Sequence, residues 1–423
     1  MGIRTRHTGR RFGRVTALAA GAVAAGLLTA ACSGSPGAGR AEPPAKDWAG
    51  LRAEARGQTV NLFMYGGDEG ANSFVDEEVA PAAEKLGITV RRVPVADTQD
   101  AVQKILGDQR AGKDSGGAVD LVWVNGENFR TGKQAGLWLC GYTGLMPNQK
   151  YLDRSDPTLT QDFGTPVDDC ETPWNRARFA FVHDSARLPQ PPRTTAALIE
   201  WIKKNPGRFT YPAPPDFTGS AFVRHLLTAG VAGTRPVPAE YGEEAYDAVA
   251  PALWKELNAL KPALWRQGTT HPKDQSALDD LFADGEVDMT MTYNPAGVPA
   301  LVDKGRFPAT TRVFVPEDGT LGNTSYLAVP RNAAHREAAL VLSDLMLSPE
   351  LQYAKARPGG WGACPVLDQD RLPEEWRRKF AALTTPETTL PAEELSRGAR
   401  PELSGDWVGP LDKGWKREVA SAS

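Results

Sequence analysis

Residues 60–86 read VNLFMYGGDEGANSFVDEEVAPAAEKL. The run Val60 to Tyr65 is strand-like and stops at Gly66-Gly67; after Asn72-Ser73 a helical spacing starts at Val75, Val79, Ala82 and Leu86. The order is strand, glycine turn, helix, with Pro81 expected to kink or shorten the helix because proline lacks the amide hydrogen a helix interior needs. Ile88 to Val93 makes the next strand. Asp97 can cap a helix carrying Val102, Ile105 and Leu106, and Val119 to Val124 is an unbroken apolar run ending at Asn125-Gly126. Strands that alternate with helices and read as continuous apolar runs belong to parallel sheets covered on both faces, so this part of the chain is α/β.

The same grammar returns further on. A helix is expected around Ala197 to Lys203, a short strand at Phe209-Thr210-Tyr211 and a helix opening near Thr218-Gly219-Ser220. Leu278, Leu281 and Phe282 end a helix at Gly285, and Val287, Met289, Met291 and Tyr293 then alternate with polar residues as one face of a strand. A strand from Ser325 to Val329 leads past Pro330 into a helix of Ala339, Leu340, Leu342, Leu345 and Met346. The expected organisation is a first lobe over 48–168 plus about 318–350 and a second over 169–317. Residues 351–423 are read as helices and loops without assignment to either lobe.

Toward the N-terminus, Arg4, Arg6, Arg10, Arg11 and Arg14 precede an uncharged stretch from Val15 to Ala31, as in a secretory leader. Leu28-Thr29-Ala30-Ala31-Cys32 resembles a bacterial lipobox, with Thr29 where leucine is usual, and predicts cleavage before a lipidated Cys32. Arg10-Arg11-Phe12 leaves the twin-arginine and general export routes both open. Residues 33–47 are mostly Gly, Ser, Ala and Pro and read as a flexible tether. The expected location is therefore the outer face of a bacterial cell membrane. Without the leader's arginines, 43 basic residues face 52 acidic ones, which disfavours a nucleic-acid partner. With Cys32 lipidated, Cys140, Cys170 and Cys364 remain; Cys140 and Cys170 lie in loop-like sequence thirty residues apart and are the expected disulfide. No CxxC or HxxxH spacing occurs, so neither a metal nor another cofactor is expected.

Seven strings in order carry a resemblance: NLFMYGG at 61–67, SGGAVDLVWVNGENF at 115–129, ETPW at 171–174, NPGRFTYPAPPDFTGSAF at 205–222, FADGEVDMTMTYNPAG at 282–297, GNTSYLAVP at 322–330 and GGWGACPVLD at 359–368. Over roughly Val60 to Asp368 the chain resembles the extracellular solute-binding proteins of bacterial ABC importers, in the branch related to thiamine, polyamine and iron binders. The resemblance implies two α/β lobes of the type II periplasmic-binding-protein fold, joined by crossing strands, with a solute held in the central cleft and presented to a permease and its ATPase. Ligands of open α/β sheets sit beyond the carboxyl ends of strands. Tyr65, Asn125, Glu127, Trp174, Tyr211, Asp216, Tyr293, Asn294 and Trp361 are the candidate contacts. Several have a second role open to them: Glu127 as a first-turn helix acid, Trp174 as hinge packing, Asp216 as a helix cap, Trp361 as the plug of a tight turn. Aromatic rings beside carboxylates suit an organic cation such as a thiamine-like or polyamine molecule, and nearly as well a sugar. No adjacent tyrosine pair is present to ligate ferric iron.

Enzyme chemistries lack their local geometry: there is no GxSxG elbow, HExxH helix or P-loop. Two alternatives stay open at the level of sequence, a secreted hydrolase using two dispersed carboxylates and a solute-sensing receptor subunit without transport.

Overall fold

The structure, a computed structural model, describes residues 47–231, 237–357, 360–391, 394–395 and 398–421. The leader, Cys32 and nearly all of the tether lie outside these. The described strands are β1 (Thr59–Tyr65), β2 (Thr89–Val95), β3 (Leu121–Val124), β4 (Gln161–Asp162), β5 (Thr165–Pro166), β6 (Glu171–Arg178), β7 (Ala180–Asp184), β8 (Met289–Thr292), β9 (Thr311–Phe314), β10 (Leu321–Ala328) and β11 (Arg400–Pro401). No helix among the described residues is long and apolar enough to cross a membrane.

In the first lobe β2, β1 and β3 run parallel, and β10 joins antiparallel to β3. Buried Asp120 locks the sheet to its covering helix: one carboxylate oxygen accepts from the Asn61 amide and side chain at 2.9 Å each, the other from the His335 amide at 2.9 Å, at the start of helix Arg336–Met346. Pro81 does not break the helical rod. The rod runs as Glu69–Phe74, a π turn Val75–Val79, and Ala80–Glu84. In the π turn the Ala80 amide reaches back to Val75, and the widened register carries the helix past the residue that has no amide hydrogen.

The second lobe is built on a three-stranded sheet in the order β8-β7-β9, antiparallel throughout, where the repeated grammar suggested more of the parallel pattern. Phe209-Thr210-Tyr211 is not a strand. The run is buried, but it makes isolated bonds instead of a ladder: Phe209 accepts from the Trp265 amide at 2.8 Å and the preceding Arg208 from the Asp288 amide at 2.9 Å. Pro212, Pro214 and Pro215 follow, and prolines cannot extend a ladder.

The chain passes between the lobes three times, twice in neighbouring segments and once more in the C-terminal stretch. β6 pairs with β10 in the first sheet and passes through Phe179 directly into β7 of the second; β10 returns the other way from β9. The C-terminal stretch divides. Helices Pro349–Ala356 and Glu374–Ala381 stay beside the first lobe, in a cluster that holds Leu152, Leu347, Val366 and Phe380. Leu403, Trp407, Leu411, Trp415 and Val419 are buried in the core of the second. Cys140 and Cys170 are joined in a disulfide just before β6, and Cys364 is free.

Candidate functional site

Tyr65 ends β1, and its ring folds back over the following turn: a Cβ on Gly67 would lie 2.1 Å from the phenolic oxygen. At 36% exposure it is one of two large apolar residues left open among the described residues; the other is Phe217, at 43%, on the second lobe. Burial of its hydroxyl raises the Tyr65 phenol, and the negative charges of Asp216, Asp274, Asp68 and Asp279 raise it further. Asp68 belongs to the first lobe, the other three to the second. The Tyr65 phenol therefore lies within electrostatic reach of acids on both sides of the seam between the lobes.

Each of these acids is placed by local structure. Asp68 caps helix Glu69–Phe74, accepting from Ala71 at 3.0 Å. Asp216 caps helix Phe217–Leu226 through Thr218 and Gly219 at 3.0 and 2.9 Å, and Asp274 caps helix Gln275–Ala283 through Ala277 at 2.9 Å. Asp279 accepts from Thr290 and Gln275 at 2.8 and 2.7 Å. Burial nevertheless lifts Asp68 and Asp216 above their ordinary values, and Asp279 to about 7. Capping bonds do not offset the loss of water around these charges. Basic side chains reach the seam at its rim, where Lys304 lies 3.7 Å from Glu69 and Lys273 lies 3.5 Å from Asp274, both lysines at least half exposed.

Beside Asp68 stands an aromatic wall. Trp123, Trp174 and Trp361 meet with ring centroids 5.0 to 5.6 Å apart, and Phe74 stacks on Trp361 at 6.1 Å. Trp361 donates its indole hydrogen to Asp68 at 2.9 Å. Its turn closes against the second lobe: Gly362 has φ +77°, and a Cβ there would lie 2.0 Å from the Ala296 carbonyl oxygen. On the other side Tyr293 packs on Phe179 and Phe217, with centroids 5.5 and 4.9 Å away.

The candidates from sequence are thus distributed unevenly. Tyr65 and Asp216 are brought together across the seam, as are Asn294 and the Trp361 turn: the Cβ position of Gly297 is 2.5 Å from Asn294 Nδ2 and 3.4 Å from the Trp361 carbonyl oxygen. Glu127 is exposed near Gly409, and Asn125 precedes it at the start of helix Gly126–Gln134. Trp174 and Trp361 are almost wholly buried and line the wall from behind. Tyr211 is a correction. It lies in the second-lobe core, its hydroxyl accepting from Trp415 Nε1 at 2.9 Å and its ring against Phe222, where no solute reaches it. Asp68, Phe217, Asp274 and Asp279 were not picked out from sequence; Asp68, immediately after Gly66-Gly67, had a detectable signal in its position at a strand end. A hollow of about 430 Å³ lined by Arg130, Lys133, Gly164, Thr165, Pro166 and Glu240 shares no residue with this set.

The family described as bacterial extracellular solute-binding protein matches residues 78–384. The chain is 37% identical over 375 residues to Protein YnjB of Escherichia coli, covering 88% of this chain and 93% of that one. Among solved structures it is similar to an ABC transporter substrate-binding protein from Bradyrhizobium japonicum (18% identity, TM-score 0.61, 86% and 99% of the two chains). It is also similar to the spermidine/putrescine substrate-binding protein PotD of Streptococcus pneumoniae (13%, 0.57, 85% and 98%) and a periplasmic thiamin binding protein (19%, 0.53, 85% and 96%). At these identities the solved structures show the two-lobed fold.

Proposed function

Because the chain belongs to the bacterial extracellular solute-binding proteins, we propose that it captures a small organic cation between its lobes and hands it unaltered to an ABC permease. In this reading it is held at the outer membrane face by a lipid on Cys32. One observation carries the choice of solute: the Tyr65 phenol lies in the field of Asp68, Asp216, Asp274 and Asp279, and burial disfavours the charges of Asp68, Asp216 and Asp279. A buried carboxylate without a counter-charge costs several kcal/mol in effective terms, and a cationic solute entering the seam supplies that counter-charge. The open rings of Tyr65 and Phe217 add a face for the same positive charge. The solutes in the names of two solved relatives, polyamines and thiamin, are organic cations.

Calorimetry of the purified protein with putrescine, spermidine and thiamine, set against a neutral sugar and an organic anion, tests the reading. Binding confined to cations is expected. Binding of the sugar or the anion with none of the cations sinks it. For the anchor, Cys32→Ser is expected to move the protein from the membrane fraction to the soluble one.

A further inference from the structure

The family match ends at residue 384, yet the chain beyond it returns to the seam. After β11 pairs with β10, Glu402 enters the second lobe and meets Arg224 in a two-pronged ion pair at 2.8 and 3.0 Å, both side chains about 1% exposed. The same carboxylate accepts the hydroxyl of Tyr293. Arg224 also donates to Ser220 at 2.8 Å, and the Ser220 hydroxyl donates to Asp412 at 2.6 Å. Between these points the segment touches the first lobe: Asp406 pairs with Arg130, and the Gly405 amide donates to Phe163 at 3.2 Å.

Asp412 is unusual within this chain of bonds. Its one hydrogen-bond demand, accepting from a serine hydroxyl, would be met equally by the amide oxygen of asparagine. As a carboxylate it is raised by burial, against the bond from Ser220 and the charge of Arg224, with Glu127 and Asp216 adding smaller upward pushes. It is tied to the seam by geometry: Ser220, which bonds it at 2.6 Å, lies one turn beyond the Asp216 cap and donates its amide to the Asp216 carbonyl at 2.8 Å. Glu402, in turn, holds the phenol of Tyr293, whose ring packs on the open ring of Phe217.

We propose that the segment from Arg400 to Asp412 is a working part of the solute site, Asp412 supplying a carboxylate to the cation and Glu402 positioning Tyr293. The inference rests on reading the seam as a cation site. Calorimetry with putrescine, spermidine and thiamine on the wild-type protein and on Asp412→Asn, Asp412→Glu and Tyr293→Phe separates the two. For whichever cation binds the wild type, Asp412→Asn is expected to weaken binding about tenfold, the scale of one charge-assisted contact. Its ligand-free melting temperature should be close to that of the wild type, since asparagine still accepts from Ser220, and Asp412→Glu should recover part of the loss. Tyr293→Phe, which takes the hydroxyl away from Glu402 and Arg224 but retains the ring, should weaken binding by about threefold or more. If a cation binds the wild type and both Asp412→Asn and Tyr293→Phe bind it as tightly, the role of the segment is refuted while the cation site stands. If no cation binds the wild type, the cation reading falls and this inference falls with it.

Discussion

Trp361 donates its indole hydrogen to Asp68 at 2.9 Å, across 293 positions of sequence, so that the carboxylate capping the first helix after β1 also fixes the aromatic wall of the seam. Trp361→Phe keeps most of the ring packing and removes the donor. It is expected to cost about 2 kcal/mol of stability, as loss of a hydrogen bond to a charged group and some buried ring area would. Urea denaturation measures it; a change below about 0.5 kcal/mol, the scale of an ordinary surface substitution, would show that the bond contributes nothing net.

The Gly362 turn is a second point of contact between the lobes. A methyl group there meets the Ala296 carbonyl, and a left-handed φ adds a backbone cost of about 1 kcal/mol for a residue with a Cβ. Gly362→Ala is expected to push this turn away from residues 294–297 and leave the solute-saturated protein more open. Small-angle scattering should then give a larger radius of gyration than for the wild type with the same solute; an equal radius would mean the turn is not a closing contact.

Asp279 sets a dependence on pH. Burial pushes its carboxyl up to about 7 from an ordinary 3.8, against hydrogen bonds from Thr290 and Gln275. The unfolded chain releases this proton near its ordinary value and the folded chain near 7, so in that window the folded state holds more protons. Its contribution to stability is present at the acid end and is lost as pH rises through 7. Asp279→Asn should flatten that decline in urea melts, whereas cation affinity in the wild type should fall as pH is lowered through 7.

For the buried pair Arg224 and Glu402, removing one partner and removing both should differ in kind. Glu402→Ala leaves an uncompensated guanidinium and is expected to cost about 3–5 kcal/mol, while the double change Arg224→Met with Glu402→Leu, which replaces the pair by apolar side chains, should be close to neutral. Denaturation midpoints of the two proteins decide this. Similar losses in both would mean that packing rather than charge holds the segment down.

Local pattern made the first lobe legible. Val60 to Tyr65 and the apolar run ending at Val124 are strands because unbroken apolar runs fit a sheet covered on both faces, and Asp97 and Asp216 cap helices where short acids precede helical spacing. Phe209 to Tyr211 misled, since burial and β-forming side chains do not guarantee a ladder partner. Tyr211 misled for the same reason: its place before a turn resembled a strand end, but Trp415, two hundred residues later, closes over it. Asp274 carries only the local signal of a helix cap, and Asp279 and Glu402 carry none. Their importance arises from what stands opposite in space, which neither period nor composition records.

The two neighbouring joining segments, β6 and β10, are hydrogen-bonded to each other from Gly322 opposite Arg178 to Ala328 opposite Glu171 before they part into different sheets. A ribbon tied along its length resists shear and splaying, and bends readily only out of its own plane. Flexure out of that plane is the motion this ribbon opposes least, so an opening of the lobes about it follows one arc, as in a leaf spring. A partner that tells the loaded from the empty protein then needs to sense one coordinate, the gap along that arc, whatever solute has filled it.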